Sequence, residues 1–224
     1  MEQFISNFIR NCREFGVTPT DTVINQIIDR KTPEDASKNG KILNLSGSNL
    51  PVKDCAVLAK TLSEDRYIEE LRFADCLLTE ESCKLLLNYI SSNRALKRVD
   101  FKGNNIRSAA ELVGRILKKT TTLTHLSLEW NAIGLWEFGL ASIAEGLQVN
   151  QTLRYLDLRN NQITYGGGAY IANALKSNRV LKTLDLRWNN IGLQGARAFL
   201  SMLKHNTEIM RLELAGSIIS PKRL

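Results

Sequence analysis

Residues 184–191 read Leu-Asp-Leu-Arg-Trp-Asn-Asn-Ile, and 28 residues earlier, from Leu156 to Ile163, the chain reads Leu-Asp-Leu-Arg-Asn-Asn-Gln-Ile. Outward from this pair the same phrase returns as LSLEWNAI from Leu126, VDFKGNNI from Val99, LRFADCLL from Leu71, LNLSGSNL from Leu43 and LELAGSII from Leu212. From first to last, the steps between copies are 28, 28, 27, 30, 28 and 28 residues. Within one copy the alternation sends Leu156 and Leu158 to a covered face and Asp157 to the opposite one, the pattern of a short strand with one side packed.

A 20- to 30-residue period with an L-x-L core marks a leucine-rich repeat, in which no unit buries its apolar edge alone and stability comes from stacking neighbours. The expected fold is therefore an α/β solenoid, a horseshoe with a parallel concave sheet and convex helices. Seven repeats should fill residues 41–224, the last of them incomplete. Where the chain turns out of each strand stand Ser48, Cys76, Asn104, Asn131, Asn161, Asn189 and Ser217. A side-chain amide there can bond backbone groups that the bend leaves unpaired, so Cys76, Asn104, Asn131, Asn161 and Asn189 are expected to form a structural ladder.

The helix between strands keeps a fixed register. Leu62, Ile90, Leu117, Leu147, Leu175 and Leu203 each precede the next strand's first apolar position by nine residues, so length variation falls in the strand-to-helix loop. Asp65, Asn93, Thr120, Asn150, Asn178 and Asn206, six residues before each strand, suggest helix ends in the left-handed conformation. Gly167-Gly168 and Gly195-Ala196 suggest a close approach of the helix to the sheet. Gly166–Gly168 is no phosphate loop, because no Lys-Ser/Thr follows it.

Residues 1–40 differ. Phe4, Ile5, Phe8, Ile9, Cys12 and Phe15 share a helical face, and Val23, Ile24, Ile27 and Ile28 do so again after Pro19. Two helices capping the open edge of the first strand are expected, with a partner-binding hairpin as the alternative. After Ile219 no seventh helix follows, which suggests either pairing of that edge with another copy or, the reading preferred here, a longer natural protein.

No segment has the apolar length to cross a membrane, and Arg10 and Arg13 interrupt the only apolar stretch near Met1. Cys12, Cys55, Cys76 and Cys83 lack paired spacing and read as buried reduced thiols in a cytoplasmic protein. His125 and His205 stand apart from any cysteine cluster, so neither metal nor cofactor is expected, and no catalytic constellation is present. The net charge of +7 lies largely on the helices, at Arg107, Arg115, Lys118, Lys119, Lys176 and Lys204. It favours acidic partners, and without a recognition module it does not favour nucleic acid.

Function should reside on the face left free by packing. Its columns contain His125, Tyr155 and Thr183, then Ser127, Asp157 and Asp185, then Glu129, Arg159 and Arg187, with Trp130, Asn160 and Trp188 at the rim. Asp157 and Asp185, on strands about 4.8 Å apart, should repel. Two unit charges at 4 Å interact by about 4 kcal/mol at an effective dielectric near 20, which Arg159 and Arg187 would offset. No core requires an indole at the rim, and Trp and Arg dominate many protein interfaces. Trp130, Tyr155, Arg159, Trp188 and Arg187, with Glu129, Asp157 and Asp185 setting polarity, form the expected partner-binding patch. The plainer alternative is two tryptophans acting as lids on their own repeats beside self-neutralised charges. Trp136 and Phe138, in the one loop that is two residues longer, suggest a lateral contact.

These repeats resemble the ribonuclease-inhibitor-like class shared by Ran GTPase-activating protein, tropomodulin and innate immune receptors. More narrowly, Leu126-Ser-Leu-Glu-Trp-Asn131, Leu156-Asp-Leu-Arg-Asn-Asn-Gln-Ile163 and Leu184-Asp-Leu-Arg-Trp-Asn-Asn-Ile-Gly192, with the opening helices, resemble a family of centrosomal leucine-rich-repeat and coiled-coil proteins. That resemblance implies a non-enzymatic scaffold module in the centrosome linker and in cilium assembly. It also implies centrosomal linker components as partners and a coiled coil beyond this chain, through which, or through the C-terminal edge, it could self-associate. Ser217 departs from the pattern, where Asn is expected. The basic charge argues against a basic target such as ribonuclease. The competing reading is a regulator of a small GTPase resembling the Ran-specific activator.

Overall fold

Each repeat contributes one strand residue that faces inward, and that residue has no neighbour to bury it except the adjacent repeat. The computed structural model describes residues 2–18, 24 and 41–217. Within them lie seven three-residue strands: β1 (Ile42–Asn44), β2 (Glu70–Arg72), β3 (Arg98–Asp100), β4 (His125–Ser127), β5 (Tyr155–Asp157), β6 (Thr183–Asp185) and β7 (Arg211–Glu213). They pair in parallel in sequence order, and the register Leu71↔Val99, Leu126↔Leu156 and Leu156↔Leu184 aligns the repeats residue for residue. The open sheet is a leucine-rich repeat solenoid, as the period requires.

The helices form a second layer: α1 (Glu2–Glu14), α2 (Val52–Glu64), α3 (Glu80–Ile90), α4 (Ala110–Lys119), α5 (Glu137–Val149), α6 (Tyr165–Leu175) and α7 (Gly192–Leu203). Each packs against the next, and the core lies between the two layers. In the fifth repeat Leu153, Leu156, Leu158, Ile163, Ile171 and Leu175 are all buried. Full burial of one such side chain is worth about 1.5–3 kcal/mol. The expected helix register holds through Leu175, but Leu203 is exposed, since among the described residues no helix follows α7 to cover it. Gly167 approaches α5 rather than the sheet: a Cβ there would lie 2.5 Å from Leu140 Cδ1.

At the N-terminus α1 packs on α2 through buried Phe4, Phe8 and Cys12, and Asn11 Nδ2 donates to Thr61 Oγ1 at 3.1 Å. Phe15 does not join this face, because the helix ends at Glu14 and leaves the ring exposed. The second expected cap helix lies outside the described residues apart from Ile24, which packs half-buried against the core. The chain's last residues, 218–224, also lie outside them. Burial pushes the thiols of Cys55 and Cys83 up to about 12 and those of Cys12 and Cys76 up to about 11, so none is a ready nucleophile.

The buried asparagines link one repeat to the next. Asn161 Nδ2 donates to Leu128 O at 2.7 Å, and its Oδ1 accepts from the amides of Asn131 at 3.0 Å and Ile133 at 3.2 Å. Asn189 repeats the arrangement with Leu158 O, Asn161 N and Ile163 N. Asn131 and Asn104 bond Phe101 O and Phe73 O, Cys76 Sγ reaches Leu45 O at 3.0 Å, and Ser217 Oγ serves Leu186 O and Asn189 N.

The helix-end column is a second ladder and not a row of left-handed caps. Asp65, Thr120 and Asn150 have φ between −82° and −67° with extended ψ. Asn150 Nδ2 donates back to Leu117 O at 2.8 Å while its Oδ1 accepts from Thr152 N and Leu153 N. Asn93, Asn178 and Asn206 do the same for Leu62 O, Leu147 O and Leu175 O. An amide that satisfies orphan groups on both sides of the turn makes the left-handed state unnecessary.

Asn161 Nδ2 also donates to Arg159 O at 2.9 Å, which makes four backbone partners, and a buried group that loses its only partner costs about 1–3 kcal/mol. Asn161→Ala is therefore expected to lower unfolding free energy by about 3 kcal/mol in a urea titration. A loss under about 1 kcal/mol would show that the ladder does not hold the stack.

Candidate functional site

Packing occupies one side of the sheet and leaves the other to charged and aromatic side chains. On that free face the register sets His125 beside Tyr155 and Asp157 beside Asp185. The rings of His125 and Tyr155 stack at 5.8 Å between centroids with a 24° interplanar angle. Burial, followed by the Arg98 charge, holds the His125 imidazole below its ordinary value, so it is neutral at physiological pH.

The charged columns are more closed than their sequence suggests. Glu129, Asp157 and Asp185 are only 5%, 2% and 5% exposed, so these three expected contact residues do not present themselves to a partner. Each is covered by a base. Arg159 clasps Asp157 through Nε at 3.0 Å and Nη2 at 2.6 Å, reaches Asp185 Oδ2 at 3.5 Å and places Nη2 3.0 Å from Glu129 Oε2. Arg187 clasps Asp185 in the same way, and Lys102 Nζ lies 3.1 Å from Glu129 Oε2. The adjacent carboxylates are thus held by a guanidinium that touches three of them, not merely offset by charges nearby. The Asp157 hydrogen bond raises the Arg159 pKa further above its ordinary value, against the opposing effect of burial. The outcome is a buried acidic layer under a partly exposed basic fringe, with the side chains of Lys102, Arg159 and Arg187 at 41%, 28% and 32% exposure.

The rim adds the aromatic component. Gly47, Asp75, Gly103, Trp130, Asn160, Trp188 and Gly216 occupy one position in successive repeats, and all have positive φ, between 53° and 76°. The amide of each of the first six, as at Trp130 to Arg159 O and Trp188 to Ala215 O, donates to the next repeat's backbone, which fixes the bend. Glycine, Asn and Asp are the residues that tolerate this region, and for another L-residue it costs about 1–2 kcal/mol. A bulky side chain in it is an outlier of the kind that gathers at functional sites. Trp130 and Trp188 nevertheless stand there with φ of 57° and 59°. They are 58% and 63% exposed, so neither is sealed beneath its loop. The Trp188 indole leans over Gly216, where a Cβ would lie 2.4 Å from its Cε3.

The structure thus brings Trp130, Tyr155, Arg159, Arg187 and Trp188 to one free face and its rim, with Glu129, Asp157 and Asp185 beneath. Sequence reasoning missed Lys102 as a member of the charged cluster and Gly216 as the seat of an indole. The left-handed state of the rim was the available signal, written as glycine, Asn or Asp in five of the seven copies. The lateral residues Leu135, Trp136 and Phe138 are exposed on the 3-10 turn and helix start of the fourth repeat, away from the strand ends.

A parallel one-strand-per-repeat sheet, a backing layer of helices and a ladder of buried asparagines define a leucine-rich repeat protein of the ribonuclease-inhibitor-like kind. The Leucine Rich repeat family matches residues 119–135, 149–172 and 177–200. The chain is 38% identical over 170 residues to leucine-rich repeat-containing protein 45 of Gallus gallus, covering 75% of this chain and 24% of that protein. It is also 29% identical to the ribonuclease inhibitor of Sus scrofa, covering 57% and 28%, and 28% identical to the centrosomal protein of 78 kDa of Homo sapiens, covering 57% and 22%. The chain therefore spans under a third of the length of each of these relatives. Leucine-rich repeat modules of this kind hold other proteins.

Two outcomes follow from this geometry. Trp188→Gly should be more stable than Trp188→Ala by up to about 1 kcal/mol in urea melts, because glycine relieves the left-handed strain that alanine keeps; equal stabilities would mean the position is unstrained. Arg159→Ala, which uncovers three buried carboxylates, should cost about 3 kcal/mol by the same measurement. A cost under about 1 kcal/mol would mean that the acids are held by something other than that guanidinium.

Proposed function

We propose that this chain is a non-enzymatic docking module of a centrosomal scaffold, and that the Trp130/Trp188 rim with Arg159, Arg187 and Tyr155 receives a protein segment. One observation carries this reading. Two exposed indoles occupy left-handed positions where they cost the fold stability and where glycine serves in three other repeats. Such strain is understandable if a partner gains from it. The buried carboxylates Glu129, Asp157 and Asp185 act as a foundation, holding the arginines in fixed directions without competing for the partner. The centrosomal setting, and with it a cytoplasmic location and a role in the linker or in cilium assembly, draws support from the likeness to the two repeat proteins above, one of which carries the centrosome in its name.

A small-GTPase regulator gains nothing from this geometry. Arginines that stabilise a phosphoryl transition state extend toward the nucleotide, and both arginines of the patch are closed on carboxylates of their own repeat.

Trp130→Ala combined with Trp188→Ala should keep the circular dichroism spectrum of the parent chain and lose recruitment to centrosomes in cells. Unchanged recruitment with an intact fold would remove the rim from the binding site.

A further inference from the structure

The rim stands where the strands end, and the distribution of charge marks a second surface where they begin. We propose that the edge of the solenoid between each helix end and the next strand docks an acidic polypeptide segment, a run of glutamate or aspartate, independently of the rim.

A count of charges sets this edge apart. Residues 91–98, 118–125, 148–155, 176–183 and 204–211 are equivalent windows in successive repeats, each running from the helix end to the first strand residue. They hold eleven basic residues and one acidic, Glu208, a net +10 against +7 for the whole chain, so all other residues together are acidic in balance. The positive excess therefore belongs to this edge and not to the helices at large. In the equivalent window before β2, residues 63–70, Glu64, Asp65, Glu69 and Glu70 outnumber Arg66, so the basic edge begins at β3.

Ion pairing leaves most of that charge uncompensated. Lys97, Lys118, Lys182 and Arg211 meet Glu69, Glu145, Glu208 and Glu213 at 2.5–2.8 Å. The other seven cations have no carboxylate partner among the described residues, and Arg94, Arg98, Lys119, Arg154, Arg179 and Lys204 are exposed. Part of the row is held as rungs of the sheet: Thr124 N donates to Lys97 O at 2.8 Å, Arg154 N to Thr124 O at 2.8 Å and Lys182 N to Arg154 O at 2.9 Å. Arg154 and Lys182 thus leave adjacent rungs about 4.8 Å apart, where like charges repel.

Folding accounts for only some of these cations. Lys118 and Lys119 end α4, and Lys176 and Lys204 follow the last residues of α6 and α7, where a helix dipole favours positive charge. That effect fades within the last turn, and Arg98 and Arg154, at the mouths of β3 and β5, lie beyond it.

A field of one sign along an edge gathers polyanions. Single-stranded nucleic acids and bilayers take a second contact as a rule, from rings that stack bases or sit at the headgroup level. No exposed Trp, Tyr or Phe stands in the five windows. An acidic segment needs the ionic contacts alone, and the guanidinium forks of Arg94, Arg98, Arg154 and Arg179 match carboxylates two oxygens at a time.

The test uses the 224-residue chain and a fluorescein-labelled peptide of twelve glutamates, followed by fluorescence anisotropy at low salt. One variant combines Lys119→Gln, Arg154→Gln, Lys176→Gln and Lys204→Gln on the edge. A second combines Lys53→Gln, Arg107→Gln, Arg115→Gln and Arg197→Gln away from it, so both lose four charges from +7 and keep the same net charge. Saturable binding is expected at sub-millimolar concentration, weakened about tenfold or more by the edge variant and less than about threefold by the other. It should fall as salt is raised. Carbodiimide coupling of the peptide to the parent chain, which requires no variant to fold, should label Lys119, Lys176 and Lys204 ahead of Lys53 and Lys84 by mass spectrometry. The proposal is overturned if the peptide does not bind up to millimolar concentration, if both variants lose equally, or if coupling favours Lys53 and Lys84. It is also overturned if an oligothymidylate of twelve nucleotides, or vesicles containing phosphatidylserine, bind the edge more tightly than the peptide at the same salt. Trp130→Ala with Trp188→Ala should leave peptide binding unchanged, and a loss there would show that the two surfaces are not independent. Failure of the peptide with centrosomal recruitment that still requires both indoles leaves the rim reading standing.

Discussion

The stack depends on a buried amide placed where each strand ends. Asn104, Asn131, Asn161 and Asn189 bond the carbonyl of the preceding repeat with Nδ2, and their Oδ1 atoms take backbone amides from the same neighbour. The chain can then leave the strand sharply, with the residue before the asparagine in the left-handed region and the backbone groups at the bend bonded to the side-chain amide. Every other property of the molecule follows from that turn. It sends the apolar positions of strand and helix to a common interior, and it frees the opposite face of the sheet from any packing duty.

The same turn creates the rim. Because the bend needs positive φ in every repeat, the rim position is a place where glycine or a short amide or acid is the cheap choice. The chain makes that choice at Gly47, Asp75, Gly103, Asn160 and Gly216 and departs from it at Trp130 and Trp188. Beneath the rim, the carboxylates of Asp157 and Asp185 face each other across adjacent strands and are tolerable only with Arg159 and Arg187 folded down on them. Rigid arginines and strained, exposed indoles are two consequences of one repeat geometry.

Much of this was legible in sequence, for a physical reason. A solenoid writes the same structural demand every 28 residues or so, so the strand columns, their register and the buried asparagines can be read by alignment of the chain with itself. Burial of a charge cannot be read in that way. Asp157 looks outward by alternation, and only the fold of Arg159 over it takes it out of water. The helix-end asparagines were misjudged because Asn is compatible both with a left-handed cap and with a side-chain bridge. The choice between them depends on a carbonyl in the previous repeat, some 31 residues away for Asn93. Phe15 and Leu203 carry the right apolar period but fall at element ends where no neighbour among the described residues covers them.

The central claim is that a partner covers the rim and leaves the lateral edge open. The chain is suited to a direct test, because Trp130, Trp136 and Trp188 are all solvent-exposed, at 58%, 46% and 63%, and report from the two surfaces separately. Hydroxyl-radical footprinting of the chain, free and in complex with a protein captured by it, reads each indole by mass spectrometry. Protection of Trp130 and Trp188 with Trp136 oxidised as in the free chain is the expected result. Protection of Trp136 alone would place the partner on the lateral edge and contradict the account.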